Sequence, residues 1–243
     1  MKYKFETIKK DYSDFSSDKV LINAPRTPAF PVRVASEIMS RCLSYLNSTD
    51  GISIYDPCCG GGHLLTVIGF LYSANLNKIY GTDIDDRALD YAKRNLSLLA
   101  MEGLLQRKKG IQRYYDNNEE ESQLQALESF ERLKAMIVDS KRSHKDIHCL
   151  KWDITSSQPP LFRDVNIVIT DIPYGNMSQW GGIMKNNPIE QMLNNIYQIL
   201  DYDNSVIAII SNKEQRIKHE YFEQIKRLKH GKRQFTFLRP LIT

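Results

Sequence analysis

Ile52-Ser-Ile-Tyr-Asp56-Pro57-Cys58-Cys59-Gly60-Gly61-Gly62-His63-Leu64-Leu65 reads as a buried strand that runs into a glycine-rich turn and then into a helix. A glycine has no Cβ and tolerates positive φ, so Gly60 and Gly62 let the backbone come close to a ligand while the following helix offers free N–H groups. A glycine triplet is also compatible with a plain tight turn. The remainder of the chain decides between the two.

Working outward, short strand-length runs recur at Lys78–Gly81, Ile147–Leu150, Val165–Thr170 and Ser205–Ile210. Between them lie stripes at helical spacing: Ala35, Ile38, Met39, Cys42, Leu43 and Leu46; then Ala88, Leu89, Ala92, Leu96 and Leu99; then Ile189, Met192, Leu193, Ile196 and Leu200. Strand and helix in alternation specify an α/β fold built on a layered sheet. Pro31 and Pro188 fall where a first helical turn begins. Residues from about Leu104 to Lys145 break the rhythm; Leu124, Leu127, Phe130, Leu133 and Ile137 make them a helical insertion packed on the sheet. Ile217, Tyr221, Ile225 and Leu228 predict one more helix, stopped at Gly231 and followed by a strand over Gln234–Leu238. The expected organisation is one domain: a segment over 1–50 packing on a core formed by 51–243.

The 243 residues are 42% hydrophobic and 26% charged, with 33 Lys and Arg against 29 Asp and Glu, a net charge of +4 that allows a polyanionic partner without requiring one. No apolar stretch reaches the roughly 20 residues of a membrane span, and the first 18 residues lack a secretory pattern. Cys42, Cys58, Cys59 and Cys149 have no CxxC spacing, so reduced thiols in a cytoplasm and no metal site are expected.

The chemistry gathers at strand ends. Asp83 closes the strand after the glycine turn, about twenty residues on, where a carboxylate accepts ribose hydroxyls; Asp85 or Asp86 instead caps the next helix. Asp153 follows the third strand, where it can accept from an adenine amino group or simply shape a turn. The fourth strand ends in Asp171-Ile172-Pro173-Tyr174: an acid for a proton-bearing nitrogen, a proline that stiffens the turn and an aromatic face for a flat base, worth roughly 1–3 kcal/mol per stacked base. Arg26, Arg33, Lys213, Arg216, Lys232 and Arg233 are candidates for RNA phosphates, against the alternative of a solvated helix face. Arg26 or Arg33 could instead hold a cofactor carboxylate.

Together Asp56-Pro-Cys-Cys-Gly-Gly-Gly and Asp171-Ile-Pro-Tyr resemble the cofactor and catalytic loops of class I S-adenosylmethionine-dependent methyltransferases. With Ala24-Pro-Arg-Thr-Pro-Ala-Phe-Pro-Val-Arg-Val-Ala-Ser-Glu-Ile38 and Leu64-Leu-Thr-Val67 they resemble, over most of the chain, the avilamycin-resistance 23S rRNA guanine methyltransferases. The resemblance implies a Rossmann-like, mostly parallel seven-stranded sheet flanked by helices. It implies S-adenosyl-L-methionine held by Asp56, Pro57, Cys58, Gly60, Gly62, Asp83, Ile84, Asp153, Ile154 and Asp171, with Asp171, Pro173 and Tyr174 around the reacting base. It further implies 23S rRNA or the large ribosomal subunit as partner and antibiotic resistance as the consequence; with no exposed apolar stripe beyond those the sheet needs, a monomer is expected. One departure stands out: amino-group methyltransferases carry two prolines in this loop, and Ile172 occupies the place of the first.

Three rival readings follow from the same residues. A different methyl acceptor (transfer-RNA guanine N2, DNA adenine or a protein glutamine) fits Asp-x-Pro-Tyr equally well. A nicotinamide-dependent oxidoreductase also uses a glycine loop and a strand-end acid, but needs G-x-G-x-x-G spacing. A non-catalytic RNA-binding module has no physical need for Asp83, Asp153, Asp171 and Tyr174 together.

Overall fold

The computed structural model describes residues 1–16, 19–25, 27, 29–118, 120–138, 146–173, 180 and 187–242. Seven strands form one sheet in the order β3-β2-β1-β4-β5-β7-β6: β1 Ile52–Asp56, β2 Leu76–Asp83, β3 Asp146–Lys151, β4 Ile167–Asp171, β5 Val206–Asn212, β6 Phe222–His230 and β7 Arg233–Pro240. The first five run parallel, and β7 joins β5 antiparallel. The order reverses between β1 and β4, which opens a crevice above their carboxyl ends.

The central strands are mostly apolar and buried nearly throughout because both faces are covered. Ile52, Ile54, Ile167, Ile169, Val206, Ala208 and Ile210 point into one core, shared with α1 (Val32–Leu43), α2 (His63–Leu71) and α3 (Asp86–Ser97). Tyr55, Val168, Ile207 and Ile209 alternate into a second core beneath α6 (Pro188–Tyr197), with Met192, Leu193 and Ile196. Pro188 does begin α6, whose N-cap Asn187 accepts from the Glu190 N–H at 3.2 Å. Pro31 stands one residue earlier than expected, as the N-cap of α1.

Two buried polar side chains fix the N-terminal segment to the core. Glu37 on α1 is fully buried and accepts the N–H groups of Lys4, Phe5 and Glu6, each at 2.8 Å, and Arg41 Nε at 2.7 Å. Burial raises its pKa, but those donors outweigh burial and hold the carboxyl below its usual value. Asn95 on α3 accepts from Ile22 N–H and donates to the carbonyls of Ile22 and Gly61, so it ties the segment and the glycine turn to one helix.

The insertion is helical, as expected, forming α4 (Met101–Asn118) and α5 (Glu121–Val138) joined by the Lys108–Glu131 ion pair. It packs mainly on α2, α3 and the short 3-10 turn at Ser13–Phe15 rather than directly on the sheet. Phe130 and Leu133 are buried there, whereas Leu124, at its outer end, is exposed.

The helix expected across Ile217–Leu228 is not formed; most of that stretch is the edge strand β6, paired antiparallel with β7 through a turn at Gly231. A bulge at Ile225 explains the misleading spacing. It shifts the register between Gln224 and Lys226, so Ile217 and Tyr221 pack with the second core while Ile225 and Leu228 reach the first. The helix-like stripe of Ile217, Tyr221, Ile225 and Leu228 therefore comes from a chain that changes face. No described helix is long and apolar enough to cross a membrane.

Candidate functional site

A cleft of about 910 Å³ opens above the carboxyl ends of β1, β2 and β4. Asp56, Asp83 and Asp171 are the last residues of those three strands, and Asp153 lies two residues beyond the end of β3. All four line the cleft, together with Pro57, Cys58, Gly60, Ile84, Ile154 and Pro173. Sequence reasoning thus placed these ten residues in one space. Tyr174 and Arg26 lie outside the described residues.

The glycine turn has a definite architecture. Gly60 (φ +51°) donates its N–H to Asp83 Oδ2 at 2.8 Å, and Cys59 N–H donates to the Thr82 carbonyl at 2.9 Å, so the turn is clamped onto the end of β2. Asp83 Oδ1 accepts from the Asp85 N–H at 3.0 Å. Asp85 in turn accepts from Arg87 N–H at 2.9 Å and caps α3, which leaves Asp83 at the strand end facing the cleft. Gly62 (φ +73°) is the left-handed N-cap of α2; a Cβ on it would stand 2.9 Å from the Ala92 Cα. Gly62 is not among the residues lining the cleft, and its lack of a side chain serves the packing of the turn on α3.

Asp56 is nearly fully buried and accepts the Cys58 N–H at 3.0 Å. Burial, with the charges of Asp83 and Asp171 nearby, pushes its pKa up to about 7, while the Cys58 N–H pulls the other way. Asp153 Oδ1 accepts both the N–H (2.8 Å) and the hydroxyl (2.6 Å) of Thr155. It is both the turn residue and a wall of the cleft. The Ile154 carbonyl is held by Asn195 Nδ2 at 2.7 Å, fixing that wall to α6. Ile172 N–H pairs with the Ile210 carbonyl at 3.1 Å, so β4 and β5 remain joined one residue past Asp171, and the Ile172 side chain is buried.

The basic candidates divide. Arg33 donates to the carbonyls of Glu6 (2.7 Å) and Thr7 (3.5 Å) and stacks on Tyr3 (4.1 Å), so it braces the N-terminal segment and does not line the cleft. Lys213, Arg216 and Lys232 are exposed around the β6–β7 hairpin, where Lys213 N–H donates to the Lys232 carbonyl at 3.0 Å. Arg233 turns into the cleft: Nη2 lies 3.5 Å from Asp171 Oδ2, and the guanidinium carbon lies 5.4 Å from the Phe30 ring centroid. Sequence reasoning missed the cleft residues Phe30, Tyr91, Arg94 and Trp180. Phe30 was within reach, since it sits in the proline-rich run before α1. Tyr91 and Arg94 lie on α3 amid ordinary surface residues and give no such signal.

Four strand-end carboxylates around a glycine turn bind hydroxyl and amino groups and favour a cation; Arg233 adds one donor beside Asp171. Comparison with known proteins gives the chain's family. The family described as rRNA methyltransferase AviRa matches residues 1–233. The 23S rRNA (guanine(2535)-N(1))-methyltransferase of Streptomyces viridochromogenes is 30% identical over 98% of this chain and 95% of its own length. The solved structure of rRNA methyltransferase aviRa from the same organism superposes with a TM-score of 0.84, at 30% identity over 98% of this chain and 96% of that one. TrmN from Thermus thermophilus, at 14% identity over 90% of this chain and 51% of its own, shares the fold with a TM-score of 0.53. Because the family match takes in the N-terminal segment, the glycine turn, the insertion and the Asp171 loop alike, the chain belongs to the AviRa family of rRNA methyltransferases.

Proposed function

We propose that this methyltransferase moves a methyl group from S-adenosylmethionine to N1 of a guanine in 23S rRNA, in the cytoplasm, with antibiotic resistance as the result for the cell. The observation that carries the reading is Asp171, a carboxylate at the end of β4 inside the same cleft as Asp83 and Asp153.

The residues fit that cofactor. Asp83, engaged on each oxygen by a backbone N–H, keeps lone pairs for ribose hydroxyls, and Asp153 keeps Oδ2 for an adenine amino group. The buried Asp56, crowded by Asp83 and Asp171, favours a cation nearby. Bound there, S-adenosylmethionine supplies an activated methyl on a sulfonium centre. The protein's own task is then to hold the nitrogen in line and to receive its proton. Positioning of this kind is worth roughly 7–11 kcal/mol of barrier, more than a single general base contributes. Asp171 therefore orients the base first and accepts its proton second. Pro173 stiffens the loop, and Tyr174 stacks on a base that has left its helix.

Asp171→Ala tests the assignment. Tritium transfer to 23S rRNA should vanish while calorimetry still finds S-adenosylmethionine bound; undiminished transfer would remove Asp171 from the mechanism. Tyr174→Ala belongs in the same assay, where RNA turnover should fall far more than cofactor affinity.

A further inference from the structure

Arg233 differs from the cations around it. Lys213, Arg216 and Lys232 face solvent, but the Arg233 side chain is only 31% exposed and that of Asp171 26% exposed, and both border the cleft. The strand register sets this placement. Asp171 pairs with Ile210 on β5, and Asn212, two residues on, pairs with Arg233 at the start of β7. A cation is thereby fixed beside the carboxylate, with the Phe30 ring as a third wall.

We propose that Asp171 and Arg233 together read the Watson–Crick edge of the target guanine, with Arg233 donating to O6 and stabilising the charge that forms there. The inference rests on the guanine-N1 reading above. Guanine presents an acceptor at O6 beside donors at N1 and N2; a guanidinium and a carboxylate side by side present the complement. Adenine reverses the pattern, setting its amino group against the cation and its N1 lone pair against the carboxylate.

The same pair serves the reaction. The N1–H bond breaks with its proton passing to Asp171, and the electron pair left on N1 forms the bond to the methyl carbon. The sulfur of the donor keeps the pair of the broken S–C bond. As the proton leaves, negative charge spreads from N1 onto O6, where a preplaced donor stabilises it; removal of one such donor typically costs about 10²–10³ in rate. N2 methylation does not load O6 in this way, so the Arg233 position favours N1.

The test uses the full chain with Arg233→Gln and Arg233→Lys, in-vitro-transcribed 23S rRNA, single-turnover rates across pH, and separate binding measurements for S-adenosylmethionine and RNA. Arg233→Gln should slow transfer about 100-fold at neutral pH. Both affinities should stay within about threefold. The deficit should narrow as pH rises toward the range in which guanine N1 loses its proton unaided, and Arg233→Lys should recover part of the rate. RNA carrying inosine at the target keeps O6 and N1–H, so it should remain a substrate with the same dependence on Arg233. Loss of cofactor binding would assign Arg233 to the cofactor instead. Lost RNA affinity with a normal rate at saturation would make it a phosphate contact, and a deficit independent of pH and equal in both variants would make it structural; each of these overturns the proposal. Mass spectrometry of the wild-type product stands apart: absence of N1-methylguanine would defeat the underlying reading whatever Arg233 does.

Discussion

Asp56 shows how the cleft is tuned by a single carboxyl. Its side chain is 2% exposed, and burial together with its acidic neighbours lifts its pKa from 3.8 to about 7. In the unfolded chain the same group ionises near its ordinary value. The folded protein thus keeps a proton that the unfolded chain has released at every pH between the two values, and stability falls as pH climbs through that window. Below the lower value both states are protonated and burial costs little; above about 7 the full penalty, at most about 4 kcal/mol, is present. Asp56→Asn keeps an acceptor for the Cys58 N–H but carries no charge. Its melting temperature relative to wild type, measured without cofactor, should rise from pH 4 to pH 7 and then level off. A difference that does not vary with pH would mean that this carboxyl is not the titrating group.

The glycine turn and the β6–β7 hairpin both depend on a glycine with positive φ, yet they will respond differently to the same change. Gly231→Ala meets nothing within 4 Å, so only the left-handed backbone is penalised, by about 1 kcal/mol. Gly62→Ala adds a contact of 2.9 Å with the backbone of Ala92, and α3 has to shift; about 3 kcal/mol in total is expected. Urea denaturation of the two variants checks the ratio, and equal losses would show that α3 gives way freely. The contrast also explains what could be read from sequence. Ile52–Tyr55 and Val165–Thr170 announced their strands because residues buried on both faces leave a mainly apolar, β-branched run. Strand ends then delivered Asp56, Asp83 and Asp171, since an acid after such a run can only stand at the sheet's carboxyl edge. β6 stayed hidden because the bulge at Ile225 imitates helical spacing, and its lysines suit either structure. Arg233 was grouped with the other basic candidates for RNA phosphates, since its entry into the cleft depends on a β5–β7 register that only the folded chain displays.

Across the molecule the charges are unevenly spread. A net charge of +4 conceals a cleft where Asp56, Asp83, Asp85, Asp90, Asp153 and Asp171 outnumber Arg87, Arg94 and Arg233, and a hairpin region carrying Lys213, Arg216, Lys218, Lys226, Arg227, Lys229 and Lys232. The two regions suit two ligands: the acids a cationic cofactor, the hairpin an RNA backbone beside the entrance, where Lys232 precedes Arg233 and Lys213 pairs through its N–H with the Lys232 carbonyl. Each phosphate neutralised releases condensed counterion, so the salt dependence of binding counts the contacts. Replacing Lys213, Arg216 and Lys232 together by Gln should lower the slope of log affinity against log salt by about 2 to 3, with cofactor affinity unchanged. Arg33→Gln is the informative control. Its guanidinium is committed to the Glu6 and Thr7 carbonyls and the Tyr3 ring, so it should lower the melting temperature and leave the salt slope alone. If the triple variant keeps the wild-type slope, the hairpin is only a solvated edge and the RNA lies across another face; if Arg33→Gln lowers the slope, the N-terminal segment belongs to the RNA surface as well.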